Sequence, residues 1–273
     1  MPPEGAARGA VEAPGDSGGP IDLHNHLLPG VDDGASDEDE ARVALASLRA
    51  EGVAALVVTP HFEAGLQLRP SELAARFDAL DAAWARFGPL AAAAGLPVAR
   101  GVELRLDLAR PDLSDPRLRL AGGKFVLCEF PYFTIPPRSE RVLAGVRGDG
   151  WYPIVAHPER YSGLDEDPEV VDRWLEAGAL LQVNGGSLLG RYGETARRTA
   201  EELLESGCVR YVASDYHARG SPRIREWLEA LVARVGPHDA RLLTRTNPAR
   251  LLRGELPEDG LSRRGSATSS RAP

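Results

Sequence analysis

Five of the six histidines in this 273-residue chain, His24, His26, His61, His157 and His217, stand directly after short apolar runs, and Asp33, Glu103, Glu129 and Asp215 occupy comparable places. Imidazoles and carboxylates delivered together from the ends of buried segments are costly unless a cation sits among them. The pattern is that of a dispersed metal-ligand set. The sixth histidine, His238 in GPHDA, opens a polar helix and is expected to face water.

The spacings sharpen that reading. In IDLHNH the imidazoles of His24 and His26 lie two residues apart, so extended chain projects both to one side, where they can share an ion. A single HxH pair arises by chance in any histidine-containing chain. Here VDDG follows with Asp33 in a glycine-containing turn, VVTPH brings His61, and SDYH repeats the two-residue spacing with Asp215 and His217. A glutamate in a strand ordinarily faces water, yet Glu129 lies within FVLCEF, where burial on both faces is expected. Asp22 and Asp32 read as turn caps or as acceptors for a neighbouring imidazole.

These side chains require elements that carry them to one place. Seven apolar, β-rich runs precede or contain them: ID-L, AALVVT, VARGVELRL, FVLCEF, PIVA, ALLQV and RYVAS. Between the runs lie helical patterns. Asp37 with Glu40 resembles a capping box, Ala41, Ala44, Leu45 and Leu48 share a face, and Gly52 suits a C-terminal cap. Further helices are expected over residues 71–94, 138–147, 168–177 and 194–206. Strand and helix in alternation predict a parallel sheet with right-handed crossovers. A doubly wound sheet gathers its chemistry at one switch point, whereas a barrel draws on the end of every strand. Nearly every run here ends in a candidate ligand, so the expected fold is a distorted (β/α)7 TIM-like barrel.

The expected domain spans residues 20–254, between a leader (1–19) without an apolar core and a polar tail (255–273) unable to build one. A formal charge of -8 speaks against non-specific binding to nucleic acid or to an acidic membrane surface, although bound divalent ions would make the pocket itself locally positive. Cys128 and Cys208 make no disulfide framework, and no apolar run nears the roughly 20 residues a membrane-spanning helix needs. The expectation is a cytoplasmic protein without membrane insertion. Thr134 and Ser214 stand six residues after the two cysteines, so the Cys-x5-Arg loop of cysteine-dependent phosphatases is absent.

The strings DLHNHLLPGVDDG, VVTPHF, GVELRL, CEFPYF, IVAHPERY, LLQVNGGSLLGRYG, VASDYH and NPARLL, from about Ile21 to Leu252, resemble successive motifs of the polymerase and histidinol phosphatase (PHP) superfamily. DDG and AHPERY point to its CpsB/CapC-type protein-tyrosine phosphatases of bacterial capsule and exopolysaccharide synthesis. The resemblance implies three divalent ions, commonly manganese, with iron, zinc or magnesium as alternatives. It places His24, His26, Glu103 and Asp215 around one ion, Glu103, Glu129 and His157 around a second, and Asp33, His61 and His217 around a third. Arg160, three residues after His157 in HPERY, offers a planar fork to phosphate oxygens, and its alternative is an ion pair with Glu159 or Asp165. The resemblance also implies a second phosphate-binding arginine shortly after His217, in a segment like HNxxxRP; this chain departs from that pattern, reading HARGSPRI, which offers Arg223 or Arg219 at altered spacing. Asn184 and GGSLLGRYG read as a rim loop in which Arg191 and Tyr192 meet a peptide or pack on the barrel. The implied partner is a phosphotyrosine protein, a membrane-associated bacterial tyrosine kinase.

The chemistry fits on its own terms. Clustered divalent ions acidify a bound water and neutralise phosphate oxygens, so hydrolysis of a phosphate monoester needs no protein nucleophile. A tyrosine ester leaves as a phenolate whose conjugate pKa is about 10, without a strong general acid. A phosphoesterase for a small molecule such as histidinol phosphate is the alternative enzyme. A regulatory binding module that keeps its metals for stability is the alternative of another class, and the complete ligand set argues against it.

Overall fold

A computed structural model describes residues 18–164 and 166–259. Most of the leader and the tail, together with Asp165, lies outside the described residues. The seven apolar runs form a ring of parallel strands. In order they are β1 (Ile21–Asp22), β2 (Ala55–Val58) continued by β3 (His61–Glu63), β4 (Val98–Arg100) continued by β5 (Glu103–Arg105), β6 (Phe125–Glu129), β7 (Tyr152–Ala156), β8 (Leu180–Asn184) and β9 (Val209–Ala213). Their pairing divides into β1-β2-β4 and β3-β5-β6-β7-β8-β9, all parallel.

The division comes from two interruptions. Pro60, which has no N–H, separates β2 from β3, and Gly101–Val102 separates β4 from β5. A Cβ on Gly101 would come within 2.8 Å of Leu120 and 3.1 Å of Val57, so only glycine lets the chain pass so close. Hydrogen bonds bridge both breaks, from Gly101 N–H to Val58 O (3.0 Å) and from Glu103 N–H to Pro60 O (3.0 Å). The ring closes just beyond β1 and β9, where Asp215 N–H donates to His24 O (2.8 Å) and His26 N–H to Tyr216 O (2.9 Å). The closing bonds therefore lie inside the two HxH-like motifs. This is the distorted barrel expected from candidate ligands at the end of nearly every run.

Helices cover the outside. Helix α1 (Glu38–Ala50) is capped by the Asp37 carboxylate, which accepts from Asp39 and Glu40 N–H, and it buries Ala41, Ala44, Leu45 and Leu48. Glu40 reaches back to Ser36 N–H at 2.9 Å. Gly52 follows with φ +92°, a conformation a side chain would strain. Helices α2 (Pro70–Ala93), α3 (Ser139–Gly148), α4 (Glu169–Glu176) and α6 (Glu194–Glu205) stand within two residues of the expected spans, and a short α5 (Gly185–Leu188) precedes α6. The third strand run departs from strict alternation. Only 3-10 turns at Pro116–Leu118 and Leu120–Gly122 connect β5 to β6.

Beyond the last motif come α7 (Ile224–Val235), α8 (Pro237–Arg241), a π-helical turn over Leu242–Thr246, and α9 (Asn247–Leu252). His238 is exposed at the start of α8. The described chain continues to Asp259, tied to α9 by Glu258 N–H on Asn247 Oδ1 (2.8 Å) and to β9 by Asp259 with Arg210 (2.8 Å). Ile21, Val57, Phe125, Leu127, Ile154 and Tyr211 are among the residues that fill one apolar cluster, while α1, α2, α4, α6 and α7 cover the strands with a larger one. Burying each large apolar side chain contributes about 1.5–3 kcal/mol. In β6, Phe125 and Leu127 share the face that carries Glu129, so the strand sets a carboxylate above an apolar floor.

Candidate metal centre

Eight of the nine candidate ligands sit where a strand ends or begins, and Asp33 lies in the loop between β1 and α1. His24 and His26 follow β1, His61 opens β3, Glu103 opens β5, Glu129 ends β6, His157 follows β7, and Asp215 and His217 follow β9. Two of them occupy left-handed backbone, His157 at φ +37° and Asp215 at φ +51°. Non-glycine residues hold that conformation at a cost of about 1–3 kcal/mol each, which the surrounding packing must offset. The bends aim both side chains across the barrel mouth.

The nine side chains converge. His24 Nε2 and His26 Nε2 face each other at 3.2 Å. Glu103 Oε2 lies 3.3 and 3.4 Å from them, and Asp215 Oδ1 lies 3.4 and 3.5 Å away. His61 offers Nδ1 to Glu103 (3.0 Å) and Glu129 (3.4 Å), and Nε2 to Asp33 (3.4 Å). His217 Nε2 faces the same Asp33 oxygen at 3.4 Å, and His157 Nε2 lies 2.8 Å from Glu103 Oε1. Four overlapping groups could hold an ion: His26, Asp33, His61 and His217; His24, His26 and Glu103; His24, His157 and Asp215; His61, Glu103 and Glu129. The partition differs from the one the resemblance implied, and His26 also joins Asp33, His61 and His217. His157 groups with His24 and Asp215, and His61 stands between two groups because its two ring nitrogens face opposite ways.

A chain of hydrogen bonds fixes which nitrogen of His24 is open. The Asp215 carboxylate can only accept, so Asn184 Nδ2 donates to its Oδ2 at 2.7 Å. Asn184 Oδ1 then accepts from Gln182 Nε2 at 2.9 Å. Gln182 Oε1, 2.8 Å from His24 Nδ1, must accept in turn, so His24 carries its hydrogen on Nδ1. Asp32 Oδ2 does the same for His26 Nδ1 at 2.8 Å, while accepting from His61 N–H. Both Nε2 atoms are thereby left as lone pairs 3.2 Å apart in a buried site. Lone pairs so placed repel unless a cation lies between them. The buried Glu103 Oε2 and His61 Nδ1 likewise have no hydrogen-bond partner. The residues present fit divalent ions.

Without a cation, protons take its place. Burial opposes charge on His26, but the facing carboxylates of Asp215, Asp32 and Glu103 hold its pKa well above the usual value. Burial likewise opposes charge on His61, yet the Glu103 and Glu129 carboxylates beside its Nδ1 push it up to about 10. Burial would raise Glu103, but the His24 charge and the His157 hydrogen bond hold it well below the ordinary carboxylate range. His217 moves the other way, lowered by burial and by the neighbouring His26 charge.

The surrounding residues divide by what they touch. Arg160 donates from Nη1 to Asp215 Oδ2 (2.7 Å), with its guanidinium 4.3 Å from the Phe133 ring centre and 4.2 Å from that of Tyr192. Glu159, the partner considered from sequence, is buried and occupied by Asn184 N–H (2.8 Å) and Ser187 Oγ (2.7 Å). Asp165 lies outside the described residues. Arg223 is half exposed at the N-terminus of α7 and pairs with Glu226, so the structure does not bring its side chain among the nine. Asp22 ties β1 to β9 through Ser214 N–H (2.8 Å) and Oγ (2.7 Å). Burial pushes the Cys128 thiol above its ordinary range, as suits a core residue rather than a nucleophile. Sequence reasoning missed Gln182, although Gln182 and Asn184 repeat the two-residue spacing within an apolar strand. It also missed Arg76, which reaches from α2 to donate to Val31 O (2.8 Å) and His61 O, clamping the Asp33 loop beside β3.

The family model for capsular polysaccharide synthesis, CpsB/CapC, matches residues 20–253. The chain is a member of the CpsB/CapC family. Among CpsB/CapC relatives, the tyrosine-protein phosphatase YwqE of Bacillus subtilis is 32% identical over 200 residues, covering 72% of this chain and 77% of that protein. The tyrosine-protein phosphatase CpsB of Streptococcus pneumoniae is 26% identical over 245 residues, covering 86% of this chain and 99% of that protein. A solved chain reported with crystal structures of YwqE and CpsB, described as unique metal-dependent tyrosine phosphatases, superposes with a TM-score of 0.70 at 28% identity, covering 86% of this chain and 95% of its own. No helix among the described residues is long and apolar enough to cross a membrane.

Proposed function

We propose that this CpsB/CapC member is a metal-dependent protein-tyrosine phosphatase, a hydrolase acting on phosphotyrosine in a bacterial tyrosine kinase that controls capsule or exopolysaccharide synthesis. The observation that carries the reading is the pair of opposed His24 and His26 lone pairs, ringed by Glu103 and Asp215 at the mouth of a barrel. His24, His26, Asp33, His61, Glu103, Glu129, His157, Asp215 and His217 would hold up to three divalent ions, with manganese the expected metal. Imidazole mixed with carboxylate suits manganese, zinc or iron. Ions bound there supply Lewis acidity, which acidifies water and neutralises the oxygens of the phosphate.

The chain's own residues do the rest. Asp215 divides its oxygens, with Oδ1 toward the two imidazoles and Oδ2 toward Asn184 and Arg160. Arg160 is thereby held beside the centre, where its planar fork can take phosphate oxygens. The apolar residues beneath Glu129 exclude water from below, so exchange takes place through the open mouth. A phenolate departs without a strong general acid, and the family's phosphotyrosine substrates fit that chemistry. The test is manganese-loaded protein assayed on a phosphotyrosine peptide and on histidinol phosphate. The peptide is expected to be preferred by more than about tenfold in kcat/KM. A preference of that size for histidinol phosphate would reverse the assignment.

A further inference from the structure

Beside the ligand cluster lies a cleft of about 380 Å³ lined by Phe133, Arg160, Tyr161, Ser162, Tyr192 and Thr195 among others, at the lower end of the roughly 300–1,000 Å³ typical of small-molecule sites. We propose that this cleft is an aryl subsite: the Phe133 and Tyr192 rings and the Arg160 between them bind the aromatic group of an aryl phosphate monoester and set a preference for aryl over alkyl esters. The inference rests on the phosphatase reading and adds to it the groups that recognise the leaving side of the substrate.

Three observations converge on it. The cleft is continuous with the centre, because Arg160 bonds Asp215 at 2.7 Å and the Phe133 ring lies 5.5 Å from the His157 ring. Its aromatic walls are held rather than free. Phe133 and Tyr132 occupy successive left-handed conformations, at φ +50° and +57°, and Phe133 O accepts from Ser162 N–H at 2.8 Å. That backbone keeps Phe133 37% exposed at the rim instead of buried in the core. Arg160 is fixed by the rings on either side and by Asp215, its one hydrogen-bonding partner among the described residues. A phosphate between the ligand cluster and Arg160 therefore places its ester group against aromatic faces. Those faces attract a flat ring through offset or edge-to-face stacking and offer an alkyl chain only contact area.

The ring contacts can be measured without turnover. Phenylphosphonate and methylphosphonate share the anionic head and differ in the group that meets the cleft. Calorimetric titration of the manganese-loaded full chain is expected to give phenylphosphonate about a tenfold advantage. In Phe133→Ala and Tyr192→Ala that advantage should shrink, and in the double variant it should fall below about twofold. Melting temperature and bound metal, measured on the same samples, separate this outcome from a folding defect. A Phe133→Tyr variant, which keeps a ring, should restore the advantage. Equal affinity of the two phosphonates for the unmodified protein, or a phenyl advantage that survives the double variant, overturns the subsite. Phosphotyrosine hydrolysis by the unmodified protein reports separately on the phosphatase reading. A phenyl advantage without that hydrolysis keeps the subsite and removes the proposed substrate.

Discussion

Replacing Gln182 by leucine tests the hydrogen-bond chain that orients His24. The substitution strands two buried groups, the Nδ1–H of His24, which loses its 2.8 Å acceptor, and Asn184 Oδ1, which loses its 2.9 Å donor. Stranding a buried polar group costs about 1–3 kcal/mol, and the apolar side chain returns part of that, leaving a net loss of about 2–3 kcal/mol. At about 2–4 °C per kcal/mol for a domain of this size, the metal-free protein should melt roughly 5–10 °C lower. Metal affinity is the more specific readout. With Gln182 gone, nothing holds the hydrogen on Nδ1, and the His24 ring can flip its lone pair away from Glu103 and Asp215. Loss of such an orienting partner typically costs about 10–100-fold in metal affinity. Gln182→Glu keeps an acceptor for His24 but opposes Asn184 Oδ1, so it should recover part of the affinity. Manganese titration by calorimetry, beside thermal melts of the stripped protein, gives both numbers. Affinity within twofold of the unmodified protein in Gln182→Leu would show that this chain of bonds does not set the His24 tautomer.

Three further outcomes follow from the same geometry. Arg160→Lys keeps the charge but loses the planar fork and its contacts with Phe133 and Tyr192, so kcat/KM on a phosphotyrosine peptide should fall about 10–100-fold with bound metal unchanged. Asp33 is 61% exposed and faces both His61 and His217, so Asp33→Ala should lower bound metal by about one ion per chain with little change in the melting temperature of the stripped protein, read by elemental analysis and thermal melts. The pH response should reverse on loading. In stripped protein His61 is raised to about 10 by Glu103 and Glu129 against the pull of burial; the proton-bound form is the stabilised one, so that contribution is complete below about pH 6.5 and is lost as pH rises toward 10. Metal requires the neutral ring, so the melting-temperature gain on adding manganese should grow from pH 6 to pH 8, and a gain that shrinks over that range would contradict the assignment.

Much of the barrel was legible because its ligands follow apolar runs. His24 with His26 and Asp215 with His217 each show a two-residue spacing, and that is the local record of strand ends lying side by side at the closure of the ring. The breaks at Pro60 and at Gly101–Val102 were less visible, since each interrupts a strand without ending its course through the barrel. The third crossover lacks a helix that the alternation implied. Helix α7 carried a readable apolar face in Ile224, Trp227 and Leu231, but it follows the last strand run and so stands outside the strand-and-ligand pattern. Contacts across the chain were beyond local pattern. Arg160 reaches Asp215 over 55 residues and Gln182 reaches His24 over 158, and no spacing encodes such pairs. Arg223 illustrates the converse, since its place in the sequence near His217 did not bring its side chain to the cluster.

The clustered imidazoles and carboxylates would hold the divalent ions on which phosphotyrosine hydrolysis depends. Phosphate release from a phosphotyrosine peptide, measured on chelator-stripped protein before and after manganese is added back, tests it most directly, with Asp215→Asn as the control. The stripped protein should be inactive, manganese should restore turnover, and Asp215→Asn should lose at least about a hundredfold because it alters the one carboxylate facing His24, His26 and Arg160 together. Turnover that survives complete stripping, or that is untouched in Asp215→Asn, would contradict the account.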